Sequence, residues 1–179
     1  MNYVNILCKY THNIYDRFYR KEFIMKVLDV MVKNVITVKK EQTILDVLKI
    51  MKDKNIGFVV IEENNEAIGI ITDRDIALCM VKEISINTQI SKVMKKYVIS
   101  IDKESEVSIA SDMMGYMQVR RLVVIDENKK ICGVLSLTDL ASNSQTEELA
   151  LETLIEISYN YPTKFDTNDN FLQVSAYIF

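Results

Sequence analysis

Apolar residues along this chain recur in one order of periods, and that order occurs twice. Two short β-branched runs, Val35-Ile36-Thr37-Val38 and Val98-Ile99-Ser100-Ile101, predict extended strands. Behind the first run, Ile44, Val47, Leu48 and Met51 fall at i, i+3, i+4 and i+7, the stripe of an amphipathic helix. Thr43 is its N-cap, with Asp46 three residues on. Val107, Ala110, Ser111 and Met114 repeat that register behind the second run, on a smaller and weaker face. Each stripe is followed by two nearly continuous apolar runs. They are Phe58 to Ile61 and Ala67 to Ile71, then Leu122 to Ile125 and Ile131 to Leu135, joined by polar turns. Apolar runs without alternation are expected in strands covered by helices. A further helix starts near Asp73 and near Leu137, and residues 82–89 link the two halves.

The residues are duplicated as well as the pattern. Val30 to Met51 matches Val93 to Met114 at an offset of 63, and Val59 to Ala77 matches Val123 to Ala141 at an offset of 64. The one-residue slip is placed where Ile56-Gly57-Phe58 becomes Val119-Arg120-Arg121-Leu122. Units of about 55 residues expose too much surface to be stable singly, so two copies should pack face to face. The predicted fold is α+β, two βαββα repeats over 27–82 and 90–143 packed as a pseudo-twofold pair. Residues 1–24 precede the pair, and a helical and extended segment, 144–179, follows it.

Composition removes most alternatives. The 179 residues are 49% hydrophobic and 26% charged, which excludes a disordered chain. No run of eighteen apolar residues exists, so no membrane span is expected. With 22 Lys+Arg against 25 Asp+Glu, there is no basic excess to attract nucleic acid. Cys8, Cys79 and Cys132 are odd in number and far apart, which fits a reducing cytoplasm. The single histidine, His12, rules out His-rich metal clusters. There is no P-loop, G-x-G-x-x-G, C-x-x-C or H-E-x-x-H. An acid, base and nucleophile cannot be assembled from what remains, so no enzyme is expected.

One motif carries candidate chemistry. Gly69-Ile70-Ile71-Thr72-Asp73-Arg74-Asp75 and Gly133-Val134-Leu135-Ser136-Leu137-Thr138-Asp139 both read G-h-h-[T/S]-x-x-D across a strand-to-helix junction. Thr72 with Asp75, and Ser136 with Asp139, suit capping boxes that need no ligand. The same hydroxyls and backbone N–H groups could also receive phosphate, with the carboxylates accepting from ribose hydroxyls. Arg120, Arg121 or Arg74 could neutralise phosphate by charge-assisted hydrogen bonds, or lie solvated on the surface.

Taken in order and in duplicate, the V-M-x-x-x-V-[IV]-[TS]-[VI] lead-in, the apolar helix, the h-h-V-V-I-[ED] strand and the G-h-h-[T/S]-x-x-D ending resemble the cystathionine-β-synthase (CBS) domain. The pair is similar to a Bateman module, over about two thirds of the chain. The resemblance implies a cytoplasmic regulatory module that binds AMP, ADP or ATP, or else S-adenosylmethionine or a dinucleotide, with no cofactor required. It implies ribose on Asp75 and Asp139 and phosphate or ribose on Thr72 and Ser136. Adenine would lie against Val35, Thr37, Ile56, Val98, Ser100 and Val119. A homodimer and an effector protein are implied as partners, with no nucleic acid and no membrane. The site using Asp139 and the Arg120-Arg121 pair is expected to bind better. The competing class is a structural or protein-interaction module that keeps the fold without the nucleotide.

The two ends lie outside the repeats. Residues 1–24 are rich in aromatics and stand ahead of Met25, where chains of this family commonly begin. They read as an upstream extension of the reading frame, with a helix docked on the module as the other reading. After Ser142, Thr146-Glu147-Glu148 should start a helix carrying Leu149, Leu151, Leu154, Ile155 and Ile157 that ends before Pro162. Leu172, Val174, Ala176 and Ile178 alternate at period two, a strand-like end expected to dock on the module or on a second subunit.

Overall fold

The computed structural model describes residues 25–159. Helix α1 (Val27–Val30) leads to strand β1 (Thr37–Val38), helix α2 (Ile44–Lys54), strands β2 (Phe58–Glu63) and β3 (Glu66–Thr72), and helix α3 (Asp73–Val81). A 3-10 turn (Ile90–Lys92) precedes strand β4 (Ser100–Asp102), helix α4 (Val107–Met117), strands β5 (Arg121–Ile125) and β6 (Ile131–Ser136), and helices α5 (Leu137–Ala141) and α6 (Glu147–Ser158). Each repeat builds its own three-stranded sheet, in the orders β1-β2-β3 and β4-β5-β6. The first pair of each sheet is parallel and the second antiparallel. This is the predicted βαββα unit, twice.

Middle strands explain the unbroken apolar runs. Val59, Val60 and Ile61 in β2, and Leu122, Val123 and Val124 in β5, are all buried, so neither face is free for polar residues. Thr43 caps α2 as predicted, its hydroxyl accepting from Asp46 N at 3.2 Å while Thr43 N donates to Asp46 Oδ2 at 3.0 Å. Hydrogen bonds from the Thr43 hydroxyl and amide hold the Asp46 carboxyl below its ordinary range. That contribution is present above the unfolded carboxyl pKa and is lost as pH falls through the lowered one. Left-handed Asn55 (φ 53°) and Gln118 (φ 55°) end α2 and α4.

Strand pairing corrects the position of the slip between repeats. Thr37 pairs with Val60 and Ser100 with Val123; Phe58 pairs with Thr72 and Arg121 with Ser136. The offset of 63 therefore continues through β2 and β5, and Gly57 corresponds to Arg120, Phe58 to Arg121. The extra residue lies in the hairpin turn instead. Asn64 and Asn65, both at positive φ (53° and 63°), make a two-residue turn in the first repeat. Three residues, Glu127 to Lys129, do so in the second, with Lys129 left-handed and its N–H donating to Asp126 O at 3.0 Å. Residue identity favours the other register, matching Val59-Val60-Ile61 to Val123-Val124-Ile125, so the sequence alone does not reveal the true one. Only the ladder does.

The lead-in of each repeat crosses to the other. Val32 and Val134 exchange backbone hydrogen bonds at 2.9 and 3.0 Å, and Lys95 and Ile70 do so at 2.9 Å in both directions. Val27 accordingly sits in one core with Leu122 and Leu135, and Ile90 in the other with Val59 and Ile71. The motif glycines make this crossing fit. A Cβ on Gly69 would lie 2.7 Å from Met94 Sδ and 2.9 Å from Lys95 O; one on Gly133 would meet Met31 Sδ at 2.5 Å and Val32 O at 3.2 Å.

The weak face of α4 has a reason too. Ser111 and Gly115 stand where the first repeat has Leu48 and Lys52, and the space they leave is taken by α6. Ser111 Oγ meets Thr153 Oγ1 at 2.5 Å, both side chains buried, and Thr153 Oγ1 donates to Leu149 O at 2.8 Å. The helix predicted after Thr146 is thus α6. Its buried residues are Ala150, Thr153 and Ile157, while Leu151, Leu154 and Ile155 face outward. The extended run Phe171 to Phe179 and the segment 1–24 lie outside the described residues. Among the described residues, no helix is long and apolar enough to cross a membrane.

Because Lys95 O is backbone and cannot swing aside, Gly69→Ala is expected to destabilise the fold by about 1–3 kcal/mol, read from the urea midpoint.

Candidate functional site

Both G-h-h-[T/S]-x-x-D motifs form reciprocal caps. Thr72 Oγ1 donates to Asp75 Oδ2 at 2.7 Å, Thr72 N donates to the same oxygen at 3.0 Å, and Asp75 N donates back to Thr72 Oγ1 at 3.1 Å. Ser136 and Asp139 repeat these contacts at 2.5, 2.7 and 3.2 Å. In each motif Oδ2 is committed to the helix start. What each carboxylate can do for a ligand rests on Oδ1.

There the repeats differ. Asp75 Oδ1 pairs with Lys95 Nζ at 2.8 Å, and the Asp75 side chain is only 15% exposed. Lys95 belongs to the crossing lead-in, and its counterpart in the other lead-in is Val32. Asp139 Oδ1 consequently has no hydrogen bond or ion pair among the described residues, and Asp139 is half-buried. Two further exchanges act in the same sense. The first repeat has Asp73 and Gly57 where the second has Leu137 and Arg120, each pair tied by a backbone bond (Asp73 N to Gly57 O, 3.0 Å; Leu137 N to Arg120 O, 2.9 Å). The first position is more acidic and the second more basic.

Strand register gathers the remaining candidates. The parallel pairing of Thr37 with Val60 sets Val35 level with Phe58, which pairs with Thr72. The pairing of Ser100 with Val123 sets Val98 level with Arg121, which pairs with Ser136. Ile56 and Val119 follow the left-handed helix ends, their N–H groups donating to Met51 O at 2.9 Å and Met114 O at 3.0 Å. Val35, Thr37, Ile56, Thr72 and Asp75 therefore share one end of the first sheet. Val98, Ser100, Val119, Arg120, Arg121, Ser136 and Asp139 share the same end of the second. These ends meet, because the Arg121 guanidinium lies 5.6 Å from the centroid of the Phe58 ring. Arg74 is exposed, its N–H donating to Asp73 Oδ1 at 2.7 Å. Sequence reasoning missed Phe58 and Lys95. Phe58 was read as a core strand residue, and Lys95 reaches Asp75 only because the lead-ins cross.

Burial pushes the Cys79 and Cys132 thiols up from their ordinary pKa, and both are free. Among the described residues, no three His, Cys, Asp or Glu side chains come together to hold a metal ion.

Two βαββα units with exchanged lead-ins, joined at the ends that carry the capped motifs, define a tandem-repeat module. The CBS domain model matches residues 27–82 and 90–145, and the chain belongs to the CBS domain family. It is 35% identical over 134 residues to the CBS domain-containing protein YhcV of Bacillus subtilis, covering 74% of this chain and 95% of that protein. The CBS domain pair of protein MJ0100, solved with 5′-methylthioadenosine and S-adenosyl-L-methionine, is similar at TM-score 0.62 and 25% identity. That match covers 67% of this chain and 95% of the other. The CBS domain protein PAE2072 from Pyrobaculum aerophilum, solved with AMP, shares the fold at TM-score 0.65 and 19% identity, over 71% of this chain and 99% of the other.

As the hydroxyls hold the caps in the absence of ligand, Ser136→Ala is expected to cost ~0.5–2 kcal/mol in urea unfolding of the ligand-free protein, and Thr72→Ala a similar amount.

Proposed function

We propose that this chain is a non-catalytic sensor of adenosine nucleotides whose principal site is built around Asp139 in the second repeat. The observation that carries this reading is the difference between the two carboxylates. Asp75 has Oδ2 in a cap and Oδ1 on Lys95, whereas Asp139 keeps Oδ1 for a ribose diol. Arg120, where the first repeat has Gly57, offers a cation for phosphate, and Ser136, paired with the adjoining Arg121, shares that sheet end. Arg121 is engaged over Phe58, so its part is to hold the two sheet ends together beside the ligand. Val98, Ser100 and Val119 provide the apolar and backbone side for adenine. The adenosine derivatives bound by the domain pair of protein MJ0100 support this ligand class. AMP, ADP and ATP are the first candidates, with S-adenosylmethionine and dinucleotides in the same class, and no cofactor is required.

A ligand gripping both repeats stabilises one relative arrangement of them, and its differential affinity is what an effector protein would read. Met80 and Val81, exposed at the end of α3, offer apolar surface for pairing two copies. Free thiols at Cys79 and Cys132 suit a reducing cytoplasm.

Titration calorimetry of the full chain with AMP, ADP, ATP and S-adenosylmethionine tests the proposal. Replacing a charged hydrogen-bond acceptor costs about 1.5–3 kcal/mol, so Asp139→Asn should weaken the tightest ligand by roughly tenfold or more. Asp75→Asn should weaken it far less. Undiminished affinity in Asp139→Asn combined with Arg120→Ala would overturn the assignment. No heat with any of the four would favour the structural or protein-interaction module, for which the caps suffice. A ligand at 100 times its Kd should add about 2.7 kcal/mol of stability in a thermal melt.

A further inference from the structure

Lys95 and Val32 hold equivalent places in the two exchanged lead-ins. Lys95 and Ile70 share reciprocal backbone bonds of 2.9 Å, and Val32 and Val134 share bonds of 2.9 and 3.0 Å. Asp75 follows Ile70 by five residues, as Asp139 follows Val134. Each lead-in residue is thus anchored on a strand that runs directly into a capped carboxylate. Lys95 uses that anchorage. Its ammonium meets Asp75 Oδ1 at 2.8 Å, the oxygen that the Thr72 cap leaves over. The lysine side chain is 46% exposed, but the carboxylate it meets is only 15% exposed. An ammonium brings a full charge and three donors, so at Oδ1 it competes well with a neutral hydroxyl. Val32 has no polar side-chain atom to offer Asp139. A second exchange acts in the same sense. Asp73 Oδ2 would lie 2.5 Å from a Cβ on Gly57, so a carboxylate fills the space where the second repeat carries Arg120. A phosphate arriving at the first repeat meets an anion there.

We infer that Lys95 is a built-in occupant of the first repeat: its ammonium takes the place at Asp75 Oδ1 that a ribose diol needs, and the chain thereby takes one nucleotide instead of two. The inference rests on the reading that Asp139 Oδ1 receives ribose, and it adds the residue that sets the number of ligands. The blocking group comes from the lead-in of the second repeat and acts on the motif of the first. Occupancy is therefore decided by the crossing and not within either half. Because Lys95 and Val32 are anchored alike, exchanging their side chains should move the block from one motif to the other. Each exchange installs a side chain that the equivalent backbone position already carries, and neither touches the backbone bonds that join the repeats.

Titration calorimetry of the full chain and of the Lys95→Val and Val32→Lys variants tests this. Adenosine is the probe for counting, because it has the diol and no phosphate to meet Asp73. The unaltered chain should take one adenosine and Lys95→Val two, the second being lost when Asp75→Asn is added. Val32→Lys should weaken AMP binding tenfold or more, since the new ammonium would engage Asp139 Oδ1. Two adenosines on the unaltered chain, a single one on Lys95→Val, or unchanged AMP affinity in Val32→Lys would each overturn the inference. The Asp139 reading fails separately, if Asp139→Asn leaves the affinity of the unaltered chain as it was. In that case a second adenosine on Lys95→Val that depends on Asp75 still upholds the role of Lys95.

Discussion

The exchange of lead-ins between the repeats is the constraint on which the rest depends. Val32 with Val134, and Lys95 with Ile70, each close a reciprocal pair of backbone hydrogen bonds across the molecule. Each repeat on its own has a three-stranded sheet and two helices, too little to bury its apolar strands well. With the crossing, Val27 completes the core of the second unit and Ile90 that of the first. Neither core is finished until both halves of the chain are present. The two sheet ends are thereby held together, which brings Phe58 under Arg121 and Lys95 onto Asp75.

Duplication supplies the symmetry, and substitutions at equivalent places give each half a separate task. Leu48 and Lys52 become Ser111 and Gly115, and α6 enters the space, its Thr153 satisfying the buried serine. No buried side-chain nitrogen or oxygen among the described residues is left without a partner. Val32 in place of Lys95 leaves Asp139 with an uncommitted oxygen among the described residues, while Arg120 in place of Gly57 adds a cation at the same end of the second sheet. Small changes at paired positions engage both oxygens of one carboxylate and leave one oxygen of the other without a partner among the described residues.

The capped motif serves the fold before it serves any ligand. A hydroxyl and a carboxylate three residues apart stop the strand, start the helix and orient Oδ2. The oxygen left over inherits a fixed position at no further entropic cost. A binding group can thus be added to a fold at a point that stability already demands.

Much of this was readable along the chain. Period and turn chemistry located the strands and helices of the two βαββα units, though not the short helix Val27–Val30 or the 3-10 turn Ile90–Lys92. An apolar run reports burial, and a Thr or Ser with a following Asp reports a helix start, wherever they stand. The pairing of the two halves followed from their size. What remained were relations between distant residues. The hairpin slip at Asn64-Asn65 against Glu127 to Lys129 was hidden because residue identity favours the other register, Val59-Val60-Ile61 with Val123-Val124-Ile125. Lys95 carried no mark of its partner, since its contact with Asp75 arises from the crossing. Of the apolar residues on α6, which are covered and that Leu151, Leu154 and Ile155 face outward was decided by how it packs on α4. Local order follows from each residue's own preferences; which carboxylate is neutralised, and which face is covered, follows only from how the two halves are set against each other.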